Sequence, residues 1–285
     1  MSAVDWSDQQ LLDLAVDTAR EAAALIRRER PPGRVGASAT KSSATDAVTA
    51  VDVASERLLR DRLVGARPGD GFLGEEGGTA ASTTGVTWVV DPIDGTTNFM
   101  YGLAAYAVSI AAVRSEVLGD QADTGSGGGT VVAGAVLDVV SGEEYTAVRG
   151  GGASRRKGRS GQEHRMGVVD PGGLDQALVA TGFGYDPQRR ALQGAAVARL
   201  LPRVRDVRRI GAASLDLCSL ATGRVDAYVE QGLKPWDLAA GGLVAREAGA
   251  LITGLDGEPA GERLVVGCAP GLYAAFSRLV RDCGF

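Results

Sequence analysis

Three acidic segments of this chain carry side chains that could do chemistry. The most informative is Asp91-Pro92-Ile93-Asp94-Gly95-Thr96-Thr97-Asn98-Phe99, which follows the apolar run Trp88-Val89-Val90. The run reads as a buried strand that stops at Pro92 and turns through Gly95, delivering two carboxylates three residues apart. The backbone N–H groups and hydroxyls of Gly95, Thr96 and Thr97 come directly behind them. Carboxylates bind hard cations, and turn amides and hydroxyls bind phosphate oxygens, so one loop offers both halves of a metal-assisted phosphate site. Taken alone, the pattern favours an ordinary Asp/Gly turn.

The second segment, Phe72-Leu73-Gly74-Glu75-Glu76-Gly77-Gly78, sets paired acids between a short apolar strand and a glycine-rich loop. Adjacent side chains on extended backbone diverge, so one of Glu75 and Glu76 faces a given site and the other supports it. By itself, a Glu-Glu pair is more commonly a solvated turn. The third, Pro235-Trp236-Asp237-Leu238-Ala239-Ala240-Gly241-Gly242, opens a helical apolar pattern that runs to about Ala248. Pro and Asp are normal helix-start residues, and in isolation Asp237 reads as a cap.

Together and in this order, the three segments resemble the inositol monophosphatase family of magnesium-dependent, lithium-sensitive phosphatases. The resemblance extends over Lys41 to Asp52 and Gly211-Ala212-Ala213-Ser214-Leu215-Asp216-Leu217-Cys218, and so spans nearly the whole chain. The segments Thr181 to Tyr185 and Val207 to Gly211 are most similar to the actinobacterial type within that family. The resemblance implies an α+β fold, a layered α-β-α-β-α sandwich, as a single domain over 1–285. The site would lie between an N-terminal half (about 1–150) and a C-terminal half (about 151–285). It also implies a homodimer.

Phosphomonoester hydrolysis has a very high uncatalysed barrier, and its transition state spreads charge over phosphoryl oxygens. Paired Mg²⁺ ions about 3.5–4 Å apart could clamp the attacking and leaving oxygens. The resemblance implies two or three Mg²⁺: Glu75, Asp91 and the Ile93 carbonyl hold the first, and Asp91, Asp94 and Asp237 the second. A third, weaker ion leans on Glu75. The nucleophile is read as metal-activated water, oriented or deprotonated by Glu75 and Thr96, with Thr49 and Asp52 positioning Thr96. Gly95 and Thr96 cradle the phosphate, while Asp94, Gly211, Ala213 and Glu230 read substrate hydroxyls. Lys41 is either a contact to the phosphate or acidic cluster, or a surface lysine. This chain has Ala212 where the family usually has Ser or Thr, with a hydroxyl displaced to Ser214, and Gly184 where Pro is common. The substrate implied is inositol-1-phosphate. Fructose-1,6-bisphosphate, histidinol phosphate, a nucleotide 3′-phosphate, or a regulatory protein that retains the site are the alternatives.

The elements that must position these groups are legible in outline. Ser7 caps a helix from about Asp8 to Arg28, and a second runs from about Asp46 to Val64, with Thr49 and Asp52 on one face near its start. Strands follow near 71–74, 86–91, 105–114, 131–138 and 143–148, with a helix beginning near Thr97. Gly119 to Thr130 reads as a long hairpin loop, and the basic segment Arg155 to Arg165 as a solvated one. Beyond residue 174, strands (177–182, 205–209, 226–230, 250–253, 264–267) alternate with helices (about 188–200, 213–222, 237–248, 270–282).

Bulk properties exclude several classes. The 285 residues are 45% hydrophobic and 23% charged, ordinary for a globular chain. A net charge of −5 gives no support to direct nucleic-acid binding. With one histidine, His164, there is no His-based hydrolase and no His-rich zinc site; the residue reads as surface. Cys218, Cys268 and Cys283 lack metal or disulfide spacing, and Cys218 reads as buried. No stretch approaches the ~20 apolar residues of a membrane span, and the N-terminus does not read as a signal peptide, so a cytoplasmic location is expected.

Overall fold

The computed structural model describes residues 6–40, 47–115 and 129–285. The first helix, α1 (Asp8–Glu29), starts from a reciprocal cap in which the Gln10 N–H donates to Ser7 Oγ and the Ser7 N–H to Gln10 Oε1. Two short strands, β1 (Ala39–Thr40) and β2 (Ala47–Val48), precede α2 (Ala50–Ala66). That helix begins at Ala50 and not near Asp46, because Thr49 is extended and caps it, and it continues through Gly65. Lys41 lies outside the described residues.

The chain then forms β3 (Gly71–Gly74), β4 (Thr79–Ala80), β5 (Val86–Asp94), α3 (Thr96–Tyr101), β6 (Ala107–Arg114), β7 (Thr130–Asp138), β8 (Glu143–Val148), β9 (Gly152–Lys157) and β10 (His164–Arg165). These eight strands make one sheet in the order β10-β9-β8-β7-β6-β5-β3-β4, with β3 parallel to β5 and the other pairs antiparallel. The second half contributes β11 (Leu178–Thr181), α4 (Pro187–Leu200), β12 (Asp206–Arg208), α5 (Ala213–Ala221), β13 (Ala227–Glu230), α6 (Pro235–Glu247), β14 (Leu251–Thr253), β15 (Val265–Cys268) and α7 (Pro270–Cys283). Its five strands are ordered β12-β11-β13-β15-β14, parallel across the first three and antiparallel at β15.

Side-chain alternation stacks these parts into five layers. On β6, Val108, Ile110 and Ala112 pack with α1 and α2, while Ala107, Ala111 and Val113 pack with α5 and α6. On β13, Tyr228 joins the α5–α6 core, and Ala227 and Val229 face α7. Strands covered on both faces need apolar residues at every position, hence the unbroken apolar runs. The order is helices, sheet, helices, sheet, helices, as the resemblance implied. Small residues let the central helices approach closely: a methyl on Gly241 of α6 would lie 3.1 Å from the Ser214 Cα of α5.

Two expectations are corrected. Strand β5 does not stop at Pro92; it continues to Asp94 across a bulge, pairing Asp91 with Ser109 and Asp94 with Ala107. A bulge accommodates a residue without an N–H in an otherwise paired strand. Nor is Arg155 to Arg165 simply a solvated loop. Arg155 and Arg156 lie on β9, where Arg156 and Arg20 both donate to the buried Glu144, and Arg155 donates to Glu143. Of the long 119–130 tract only the end is described, leading into β7. His164 is exposed, and the three cysteines are free and buried. Among the described residues no helix is long and apolar enough to cross a membrane.

Candidate active site

Asp91, Asp94 and Asp237 converge, with one oxygen from each lying within 4.8 Å of the others. The bulge in β5 turns both Asp91 and Asp94 to the same side, and the first turn of α6 brings Asp237 to meet them. Ser109, paired with Asp91 across the sheet, donates its hydroxyl to the Trp236 carbonyl at 3.3 Å and ties the two elements together. Asp237 accepts the Lys234 N–H at 2.7 Å through Oδ2. It is therefore both the cap it resembled and a member of the cluster. The trio lines a cavity of about 530 Å³ together with Glu75, Ile93, Gly95, Thr96, Arg189, Arg209 and Glu230.

Charge repulsion among these acids is of the kind a bound cation would relieve. Burial, and then the neighbouring charges of Glu75, Asp94 and Asp237, hold the Asp91 carboxyl far above its ordinary range, and Asp91 and Glu75 are in hydrogen-bond contact. Burial and the charges of Glu75 and Asp94 do the same to Asp237. Asp94 is pushed to about 6 by burial, opposed by hydrogen bonds from Ser214. A donor set made only of carboxylate oxygens suits a hard cation.

Asp94 also caps a helix in another part of the chain. Its Oδ1 accepts the Ala213 N–H at 3.2 Å and its Oδ2 the Ser214 N–H at 2.7 Å, with the Ser214 hydroxyl donating to the same Oδ2. These are amides that the first turn of α5 leaves without partners inside the helix. Ala213 and Ser214 therefore hold Asp94, so the Ala213 amide, expected to read substrate, is already engaged. Glu230 accepts the Tyr228 hydroxyl at 2.7 Å, and its pKa is raised to about 7, chiefly by burial.

Thr49, Asp52 and Thr96 form a chain of contacts behind the cluster. Asp52 Oδ2 accepts from both the N–H and the hydroxyl of Thr49. The Thr96 hydroxyl lies 3.1 Å from Asp52 Oδ1 and 3.0 Å from the Ile93 carbonyl, two acceptors for one proton. Gly95, at φ +90°, opens α3; a side chain there would also meet the Ala105 carbonyl at 2.9 Å. Glu75 lines the cavity and Glu76 does not. The two sit in a turn, so it is the turn and not strand alternation that separates them.

Sequence reasoning missed two buried groups near this site. Glu56 of α2 accepts the Glu76 and Gly78 amides. Asn98 donates to the carbonyls of Ala105 and Ile210, fixing the approach to Gly211. The spacing of Glu56 four residues after Asp52, which puts both on one helix face, was the available signal for the first.

Residues 7–283 match the inositol monophosphatase family. The chain belongs to that family. An inositol-1-monophosphatase of Mycobacterium leprae (strain TN) is 47% identical to it, covering 96% of this chain and 94% of its own length. The solved structure of Mycobacterium tuberculosis SuhB is similar with a TM-score of 0.79 at 42% identity, covering 98% and 99% of the two chains. A Nus factor SuhB of Pasteurella multocida (strain Pm70) is 36% identical over 87% of this chain and 86% of its own. This member of the inositol monophosphatase family is a phosphomonoesterase, and Asp91, Asp94 and Asp237 are a cluster able to hold a metal ion.

Proposed function

We propose that this phosphomonoesterase hydrolyses inositol-1-phosphate with Mg²⁺, as a cytoplasmic homodimer. The observation that carries the reading is the all-carboxylate trio Asp91, Asp94 and Asp237 opening on a cavity that Glu230 also lines. Glu75, Asp91 and the Ile93 carbonyl are the ligands for a first ion, and Asp91, Asp94 and Asp237 for a second, with Glu75 supporting a third. Bound Mg²⁺ would supply Lewis-acid stabilisation of the phosphoryl oxygens and a water acidic enough to attack near neutral pH.

The chain's own groups do the rest. Thr96 Oγ1 can accept a proton from the attacking water while its own proton moves to Asp52 Oδ1, 3.1 Å away. Burial raises the pKa of Asp52, which makes that oxygen a better proton acceptor than an exposed carboxylate. The amides of Gly95 and Thr96, at the start of α3, face the phosphate. With the Ala213 amide committed to Asp94, reading of the polyol falls to Glu230 and the backbone at Gly211.

The name carried by the Pasteurella relative favours a second reading, a regulatory protein that keeps this site. The complete acid set and the net charge of −5 support the enzyme. Initial rates with Mg²⁺ on inositol-1-phosphate, fructose-1,6-bisphosphate, histidinol phosphate and nucleotide 3′-phosphates test the proposal. The highest kcat/KM should fall on inositol-1-phosphate; no Mg²⁺-dependent turnover of any of them would refute it.

A further inference from the structure

Among the acids of the proposed cation site, Glu75 alone stands on a turn, and a turn-borne carboxylate is only as well placed as the turn. Two short strands flank that turn, with Phe72 paired to Ala80 and Leu73 to Thr79, and the Gly74 N–H donates to the Gly78 carbonyl at 2.8 Å. What fixes its interior is Glu56. Its Oε2 accepts the Glu76 N–H at 2.7 Å and its Oε1 the Gly78 N–H at 3.0 Å, so one carboxylate grips two amides of the turn. The seat is built around it: a methyl on Gly74 would lie 2.3 Å from Oε2, and one on Gly78 would lie 2.8 Å from Oε1.

Glu56 is 7% exposed, whereas the side chains of its helix neighbours Arg57 and Asp61 are 84% and 70% exposed. Among the described residues it has no cation within ion-pair distance. Burying a carboxylate without a cation is costly unless hydrogen bonds compensate. Only a carboxylate supplies two acceptors in a fork that fits two amides. The same face of α2 carries Asp52, which meets Thr96, and Ser55, whose hydroxyl donates to the Pro92 carbonyl at 3.2 Å. One helix thus holds two separate segments of the site, residues 92–96 and the 75–78 turn, at set distances.

We propose that Glu56 is a positioning residue for Glu75: it locks residues 75–78 so that Glu75 faces Asp91, and so sets the affinity of the first cation site, not the rate of the filled enzyme. This rests on the reading above that Glu75 and Asp91 hold Mg²⁺. Glu56→Gln keeps one acceptor but turns an N–H₂ group towards a backbone N–H. Gly78→Ala disturbs the same contact from the other side without altering charge. Both are compared with wild type and Glu75→Gln by calorimetric Mg²⁺ titration, by rate against Mg²⁺ concentration, and by melting temperature in EDTA. Outer contacts of this kind change metal affinity by about 10–100-fold. Glu56→Gln should weaken Mg²⁺ binding about tenfold and shift the half-activating concentration equally, with kcat recovered at saturating Mg²⁺; Gly78→Ala should move in the same direction. Unchanged Mg²⁺ affinity in both variants, with only a lower melting temperature, overturns the proposal, as does a kcat that no Mg²⁺ concentration restores. A wild type that neither binds nor needs Mg²⁺, or a Glu75→Gln that binds it normally, overturns instead the reading beneath it.

Discussion

Asp216 offers a test of the buried electrostatics that needs no substrate. It lies on α5 with 1% of its surface exposed, and neither carboxylate oxygen accepts a hydrogen bond of normal geometry from the described residues. Burial, then the charges of Glu230 and Asp94, push its pKa to about 9, while Arg209 and the nearby Gly211 backbone pull the other way. In the unfolded chain an aspartate titrates near 3.9, so between roughly pH 4 and pH 9 the folded state binds a proton that the unfolded state has released. Stability from this group is therefore intact below about pH 4 and falls as pH rises towards 9. At about 1.4 kcal/mol per unit, the three units between pH 4 and 7 set an upper figure near 4 kcal/mol. Local relaxation reduces it, so about 2–4 kcal/mol is expected at pH 7. Asp216→Asn keeps the shape and abolishes the titration. Melting curves followed by circular dichroism from pH 5 to 8, in EDTA so that no cation neutralises Asp94, should show the variant gaining on wild type as pH rises. From pH 5 to pH 7 the two units contribute at most about 3 kcal/mol, and at about 2–4 °C per kcal/mol for chains of 150–250 residues the gain over that interval is on the order of 3–10 °C. Parallel curves, or a variant that falls further behind with rising pH, would mean that Asp216 is ionised in the folded protein and would refute the reasoning.

Four further outcomes are expected. Asp91→Asn, which removes the charge shared by both proposed ions, should lower Mg²⁺-dependent turnover by several orders of magnitude while the melting curve in EDTA remains cooperative; near-normal activity would contradict the ligand assignment. With Glu230 titrating near 7, KM for a polyol phosphate should fall as pH rises through 7 and the carboxylate ionises. Glu230→Gln should flatten that profile and raise KM more for the polyol phosphate than for an aryl phosphate. Ser214→Ala removes a hydrogen bond that holds the Asp94 pKa down, so protons should compete better with the cation. The half-activating Mg²⁺ concentration should rise more at pH 6 than at pH 8, and an equal rise at both would remove Ser214 from this role. Li⁺ titrated at fixed Mg²⁺ should inhibit without competing with substrate if the second ion exchanges at Asp91, Asp94 and Asp237; full activity at high millimolar Li⁺ would exclude that exchange.

The parts of the fold and site legible in the sequence are those where polar residues interrupt an apolar pattern. Asp91 and Asp94 end a run that should be buried, and Asp237 opens a helix that is apolar for three turns, so their chemistry stands out. Glu56 does not stand out. It sits in a helix that also carries Arg57, Arg60 and Asp61, and only tertiary packing decides which of these charges points inward. Arg156 is hidden for the same reason: a charge run shows no partner until Glu144 is brought beside it. Ser214 was visible as a displaced hydroxyl, yet its use depends on where Asp94 arrives from across the sheet.

A helix cap and a cation ligand are not exclusive roles for Asp237, which caps α6 and also lies within reach of Asp91 and Asp94. Asp237 gives Oδ2 to the Lys234 N–H, Asp91 gives Oδ1 to the Ile93 N–H, and Asp52 gives Oδ2 to the Thr49 N–H. In each case the backbone engages one oxygen and fixes the side chain; the other oxygen of Asp52 accepts from Thr96. A carboxylate held in this way is preorganised, because its rotamer is set before any ligand arrives. Asp94 is the exception, with both oxygens engaged by the start of α5. Its capacity for a cation lies in remaining lone pairs, two per oxygen in a carboxylate. Helix-cap patterns in this chain therefore cannot be set against metal-site patterns as rival explanations, since the same hydrogen bond that caps α6 would also aim Asp237 at a cation.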